Sequence, residues 1–195
     1  MKKAEETKQI ILDKAYELIY SNGYNATSID DIIHASRLTK GAFYYHFKNK
    51  EEMALAMLND VLFPYLQETM VQPLNNTVSP ADDLYGMASY LLLDDPYFEP
   101  AFGCPLGNLI QELAPTNGSL NSALLTITNE WEEAIVKCVN HGKKTGLLKA
   151  ETKAKQVAYF IMSGYWGARL LGKIHASDAP YKVYLKEVKQ YLQSI

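Results

Sequence analysis

The chain of 195 residues is poor in cysteine, with only Cys104 and Cys138. Two thiols cannot form a disulfide framework, and a reducing compartment suits them. Long hydrophobic runs are missing too. The longest uncharged apolar stretch, 157–168, stops at Arg169, short of the roughly 20 residues that cross a bilayer. The opening residues Met1-Lys2-Lys3-Ala4-Glu5-Glu6 lead into a charged stretch with no apolar signal segment behind it. A cytoplasmic protein with no membrane partner is expected. The four histidines, His34, His46, His141 and His175, are scattered and give no metal-ligand spacing. There is no Gly-x-Ser-x-Gly elbow, no His-Glu-x-x-His and no complete phosphate loop. No catalytic residue, metal or cofactor is therefore expected.

What remains is an ordinary folded composition, 48% hydrophobic and 21% charged, with a net charge of −3. The charge is unevenly spread. Residues 1–50 carry eight basic and six acidic side chains, net +2, whereas the rest carries eleven against sixteen, net −5. A mildly basic head precedes an acidic body.

Almost every segment follows the helical period. Ile10, Ile11, Lys14, Ala15, Leu18 and Ile19 mark one face of a first helix over about 4–22, closed by Asn22-Gly23. Thr27 or Ser28 caps a short second helix with Asp30 and Asp31 in its first turn. Thr39 caps a third, and Asn49 with Glu52 forms a capping box at the start of a fourth. That helix runs to about 72 and is expected to bend at Pro64. Pro73–Pro80 reads as a loop. Further helices are expected near 80–94, 105–114, 119–141, 151–174 and 178–193. Breaks are expected at 94–96, 115–118 and 142–146. The fold class is all-α, about nine helices in all, with a three-helix head on a larger helical body.

The segment TSIDDIIHASRLTKGAFYYHFKNK, 27–50, places two short helices around a tight connection. In a helix-turn-helix the second helix enters the DNA major groove while the first braces it. Here the second helix interleaves Thr39, Lys40, Tyr44, Tyr45 and His46, with Phe43 and Phe47 as core anchors. Taken alone, these residues fit equally well a compact three-helix knot whose tyrosines cap a core.

The run from Leu38 to Met53, Leu-Thr-Lys-Gly-Ala-Phe-Tyr-Tyr-His-Phe-Lys-Asn-Lys-Glu-Glu-Met, resembles the signature of the TetR family of bacterial transcriptional regulators. The lead-in from Gly23 to Ile32 is similar as well, and the likeness covers about residues 8–55. Ile33 and Ser36-Arg37 depart from the family pattern, and Arg37 stands where glycine is usual because positive φ is cheap there. The resemblance implies a helix-turn-helix DNA-binding domain over 1–50 and an effector-binding and dimerisation domain over 51–195. It implies phosphate contacts from Thr27, Tyr44, His46 and Lys50, and base-edge contacts from Thr39, Lys40, Gly41 and Tyr45. His46 has a second reading, capping the recognition helix through its ring. The implied partners are a double-stranded DNA operator of near-palindromic sequence, a second copy of the chain, and an unidentified small-molecule effector whose binding releases a repressor from DNA.

In the body, Gly164, Ala168 and Gly172 recur every four residues beside Phe160, Ile161 and Leu171, and Tyr184, Leu185, Val188 and Leu192 face the same way on the last helix. By resemblance these two helices make the homodimer interface; an intrachain core is the other reading. Candidate ligand-binding residues are Tyr65, Phe102, Cys104, Asn108, Trp131, Met162, Tyr165, Trp166 and Arg169. Arg169 needs a partner, whether Glu112, Glu130, Glu133 or an anionic ligand. Pro105 puts Cys104 at a helix N-cap, where a thiolate is favoured. A similar Gly-Cys-x-x-Gly-Asn-Leu-x-x-Glu string occurs in a TetR subgroup, so Cys104 is either an electrophile or redox switch or a plain pocket wall. A helical ligand carrier or enzyme without DNA binding is the remaining alternative, and it leaves the 39–50 string unexplained.

Overall fold

A computed structural model describes residues 2–114 and 118–195. The expected break at 115–118 therefore lies almost wholly outside the described residues. Nine helices and no strand occur among those residues, once the wide turns are joined to the helices they continue. They are α1 (Lys2–Asn22), α2 (Ile29–Ser36), α3 (Lys40–His46), α4 (50–74), α5 (80–94), α6 (Pro105–Leu113), α7 (Gly118–Thr145), α8 (Ala154–His175) and α9 (Ala179–Ser194). None of the described helices is long and apolar enough to cross a membrane.

The helix ends follow local chemistry. Gly23 closes α1 with φ +93°. Ser28 caps α2 through a reciprocal box: its hydroxyl accepts from the Asp31 N–H at 3.1 Å, and the Asp31 carboxylate accepts from the Ser28 N–H at 2.8 Å. Arg37 adopts the left-handed conformation, φ 56° and ψ 31°, as its place in the turn requires. Thr39 caps α3 by accepting from the Ala42 N–H at 3.2 Å. Asn49 caps α4, but Glu52 reaches one residue further back than a capping box would, to the Lys48 N–H at 2.9 Å.

Pro64 does not end or interrupt α4. The helix widens by one residue per turn on either side, with Phe63 N–H donating to the Leu58 carbonyl and Gln72 N–H to Gln67. Widened turns accommodate a missing donor without breaking the rod. The expected break at 142–146 falls at its far end: α7 continues to Thr145 and Gly146 closes it with φ +76°, while a side chain at Gly142 would meet Leu148 and Pro80.

The chain separates into two compact units, one of 1–65 with 108–126 and one of 66–107 with 127–195. In the first, Ile11, Leu12, Ala15 and Ile19 of α1 pack with Ile32, Phe43, Phe47 and Met53, all buried. Ile10 falls off this stripe and is exposed. In the second, α8 and α9 lie against each other through glycines. Built side chains at Gly164 and Gly172 would stand 2.3 Å and 2.4 Å from the rings of Tyr184 and Tyr181, and the Tyr184 hydroxyl donates to the Ile161 carbonyl at 2.7 Å.

Candidate nucleic-acid interface

The α2–turn–α3 unit is rigid at its base and open on its outer face. Phe43 and Phe47 are buried, fixing α3 against the core, and their rings stand 5.8 Å apart. On the opposite face Tyr44 and Tyr45 are 53% and 77% exposed. Thr39, Lys40 and Gly41 are exposed beside them. Lys40 pairs with Asp30 at 2.8 Å, both well solvated. His46 is half-buried and meets the Tyr45 ring edge-on at 4.9 Å between centroids. The outer face of α3 thus leaves two phenol rings in solvent beside a threonine, a lysine and a glycine.

Two of the expected phosphate contacts have other work in this structure. Thr27 is 1% exposed and its hydroxyl donates to the Gly23 carbonyl at 2.8 Å, closing the α1–α2 turn. Ser28, one residue on, is the cap. Lys50 turns inward as well. Its ammonium donates to the Tyr24 carbonyl and lies 4.1 Å from the centre of the Tyr24 ring. Burial lowers the Lys50 pKa below the ordinary lysine value, opposed by the charges of Glu112 and Asp31.

Glu112 completes this arrangement, a role with no local signal in the residues around it. Its carboxylate, near the end of α6, accepts from the backbone N–H of Tyr24 at 3.1 Å and of Asn25 at 2.9 Å. The α1–α2 turn is thus held by a cation on its carbonyl side and an anion on its amide side. Arg169 itself donates to backbone carbonyls, those of Phe98 and Leu91. Glu130 and Glu133 are engaged elsewhere too, by Gln67 and by Lys137 at 3.2 Å.

In the second unit, Trp131 is the centre of an aromatic group. Its ring stands edge-on to Tyr165 at 5.4 Å and to Trp166 at 5.8 Å, and its indole N–H points at the Met87 sulfur at 3.3 Å. Arg169 is buried with Tyr165 and Cys104 beside it. Met162 is buried and Phe102 half-buried in the same unit, while Tyr65 and Asn108 belong to the other one. Of the nine candidates, seven thus belong to the second unit and two to the first. Tyr181 faces Arg169 and was missed, because nothing in the last helix marks which of its tyrosines turns inward.

Cys104 does cap α6: its sulfur accepts from the Gly107 N–H at 3.4 Å. Yet it is 4% exposed, and burial pushes its thiol pKa up, against the smaller opposing effects of the Gly107 N–H and the Arg169 charge. The thiolate expected from the cap alone is not favoured here, since desolvation outweighs one helix terminus.

Residues 11–57 match the family model described as bacterial regulatory proteins, tetR family, and residues 88–188 match the model for the tetracyclin repressor-like C-terminal domain. Together these span most of the chain. The chain belongs to the TetR family. It is a TetR-type transcriptional regulator with a DNA-binding helix-turn-helix. Over 188 residues it is 29% identical to the HTH-type transcriptional repressor DhaR of Mycobacterium sp. strain GP1, covering 95% of this chain and 91% of that one. An HTH-type regulator encoded in the lacX 3′ region of Lactococcus lactis is 30% identical over 168 residues, 86% of this chain and 84% of that one. A crystal structure of a TetR transcriptional regulator from Chloroflexus aurantiacus J-10-FL superposes with a TM-score of 0.89 at 28% identity, over 99% of this chain and 97% of that one. The TetR regulator's all-helical architecture with an N-terminal helix-turn-helix is that of its structural neighbours.

Proposed function

We propose that this TetR regulator is a repressor that occupies a near-palindromic DNA operator as a homodimer and leaves it when a small-molecule effector enters the body. The observation that carries the reading is the uncovered face of α3. Lys40, Tyr44 and Tyr45 stand in solvent on a helix whose other side is locked into the core. Residues 1–50 are the DNA-reading part and 51–195 the sensing and pairing part, acting in the cytoplasm where the chromosome is. The resemblance to DhaR, named a repressor, supports the sign of the response.

Reading two half-sites on one face of DNA needs two heads about 34 Å apart, or a multiple of that. The pairing surface in this reading is not the small-residue stripe. Ile161, Ala168, Gly172, Leu185, Val188 and Leu192 are buried inside the single chain, and Gly164 and Gly172 take the rings of Tyr184 and Tyr181. What α8 and α9 leave in solvent is Phe160, Leu170, Leu171, Ile174 and Val183. An apolar face of that kind is what a second copy would cover.

Release is assigned to α6. The helix begins at the Cys104 cap and Gly107 and carries Glu112 near its end, so a ligand that moves the first turn alters the hold of Glu112 on Tyr24 and Asn25. Coupling of about 1–3 kcal/mol, common between such sites, would weaken DNA binding about 5- to 150-fold. Switching through Cys104 itself would need a thiolate that its burial opposes. The reading is tested by sedimentation and by titrating random-sequence duplex at several salt concentrations. A dimer whose affinity falls steeply with salt supports it. A monomer, or a folded protein with no affinity for DNA at low salt, refutes it.

A further inference from the structure

The unit formed by 66–107 and 127–195 buries a whole positive charge. Arg169 on α8 is almost fully buried, and arginine does not shed its proton. Its Nη1 donates to the Phe98 carbonyl at 3.0 Å and its Nη2 to the Leu91 carbonyl. The rings of Phe98 and Tyr181 lie 5.2 Å from its Cζ, and that of Tyr165 5.7 Å. Among the described residues no carboxylate stands within ion-pair distance. Carbonyl dipoles and ring faces offset the lost hydration of a guanidinium only in part, and such charges are normally paired.

Around this cation lie polar atoms with nothing to bond. Arg169 Nε, the hydroxyls of Tyr165 and Tyr181, and Trp166 Nε1 are all buried and all lack a hydrogen-bond partner. Buried polar groups are satisfied in the great majority of cases, so four in one region is an unusual concentration. The Tyr165 hydroxyl interacts with both the Arg169 guanidinium and the Cys104 thiol, yet neither meets it in good hydrogen-bond geometry. The Trp166 indole edge is reached from the other side. A side chain at Gly107 would start 3.6 Å from Trp166 Nε1 and 3.5 Å from Cys104 Cβ, so its absence leaves room between them.

Every unsatisfied atom here can donate and none is an obligate acceptor. The region lacks one negative charge and several lone pairs, supplied together. We propose that Arg169, Tyr165, Tyr181 and Trp166 form a receptor for a small monocarboxylate, bound through Arg169 Nε and the two tyrosine hydroxyls with its hydrocarbon part against the Trp166 indole beside Gly107. One buried cation matches one charge, whereas a phosphate dianion would stay half uncompensated. This deepens the regulatory reading, on which it rests, by giving the effector a chemical class.

The test is thermal unfolding of the full chain with acetate, propionate, butyrate and benzoate, and with the matching amides, chloride and phosphate at constant ionic strength. At ~100 times its Kd, a binding carboxylate should raise Tm by about 5–10 °C, and the amides and inorganic anions should not. No shift with any carboxylate, or an equal shift with the amide, overturns the proposal. Arg169→Met should abolish the shift; it removes the buried charge together with the donors to the Phe98 and Leu91 carbonyls, so the melting point of the unliganded variant is read first. Should that variant fail to fold, the double change Tyr165→Phe, Tyr181→Phe decides. That variant keeps the rings that pack on the Arg169 guanidinium, and it should bind the carboxylate at least ~10-fold more weakly. Unchanged affinity there overturns the proposal as well. DNA affinity is read separately on the same protein. DNA binding without a carboxylate shift rejects this site alone, and a carboxylate shift without DNA binding rejects the regulatory reading alone.

Discussion

Replacing Lys50 by alanine separates two accounts of the head. If Lys50 contacts a phosphate, its loss weakens binding to every sequence alike and lowers the slope of log affinity against log salt by about one. The geometry argues for a different outcome. Lys50 is spent on the Tyr24 carbonyl and ring, inside the turn that Glu112 holds from the other side. A charged hydrogen bond contributes about 1.5–3 kcal/mol and a cation–π contact about 0.5–1. Because the ammonium is still largely in contact with water, their sum is discounted to roughly 1–2 kcal/mol. For a chain of this size that corresponds to a fall in Tm of about 2–8 °C. The assay is paired: a thermal melt, and DNA titration at four salt concentrations below the melting range. The account expects a lower Tm and an unchanged salt slope. A slope reduced by one with an unchanged Tm would refute it and return Lys50 to the phosphate backbone.

Three further outcomes follow from the same structure. Tyr45→Ala, which removes an exposed ring from α3, should leave stability alone and relax sequence preference, at ~1–3 kcal/mol on specific DNA only; equal losses on specific and random duplex would contradict the division of roles. Gly172→Ala should destabilise by about 1–2 kcal/mol, since its methyl meets the Tyr181 ring, whereas Gly86→Ala, with nothing within 4 Å, should gain up to about 1 kcal/mol from helix propensity. Chemical denaturation of both variants checks the pair, and similar effects in the two would undo the packing argument. Asp31 is held below its ordinary carboxyl value of 3.8 by hydrogen bonds from Ser28, side chain first and backbone second. Its folded pKa is depressed, so the α2 cap contributes in full above that ordinary value and is lost as pH falls through the lower, folded one. An NMR titration should find Asp31 below 3.8, and shifted part of the way up in Ser28→Ala, which loses the hydroxyl and keeps the backbone N–H.

Local chemistry was legible in the sequence wherever the partners are neighbours in the chain. The Ser28–Asp31 box, the Thr39 and Asn49 caps, Gly23 at the end of α1 and the strained Arg37 each follow from a few consecutive residues. So does the burial of Phe43 and Phe47, four apart on one face. What the sequence could not supply is which distant segment arrives at a given side chain. Thr27 and Lys50 read as phosphate ligands in the sequence, which does not show that they bond to the carbonyls of Gly23 and Tyr24. The stripe Gly164, Ala168, Gly172 reads as a surface for another chain, yet Tyr184 and Tyr181 of the same chain fill it. Glu112, 88 positions from Tyr24, has no local signal at all. The widened turns on either side of Pro64 have no signal in the sequence beyond the proline itself.

Whether α3 reads DNA sequence for a pair of chains is decided by selecting bound duplexes from a random library with purified protein at a stated salt concentration. Paired heads should enrich a near-palindrome whose half-sites are centred about one helical turn, or a multiple, apart. Folded protein that enriches no sequence at low salt, or only a single unrepeated site, would contradict that reading.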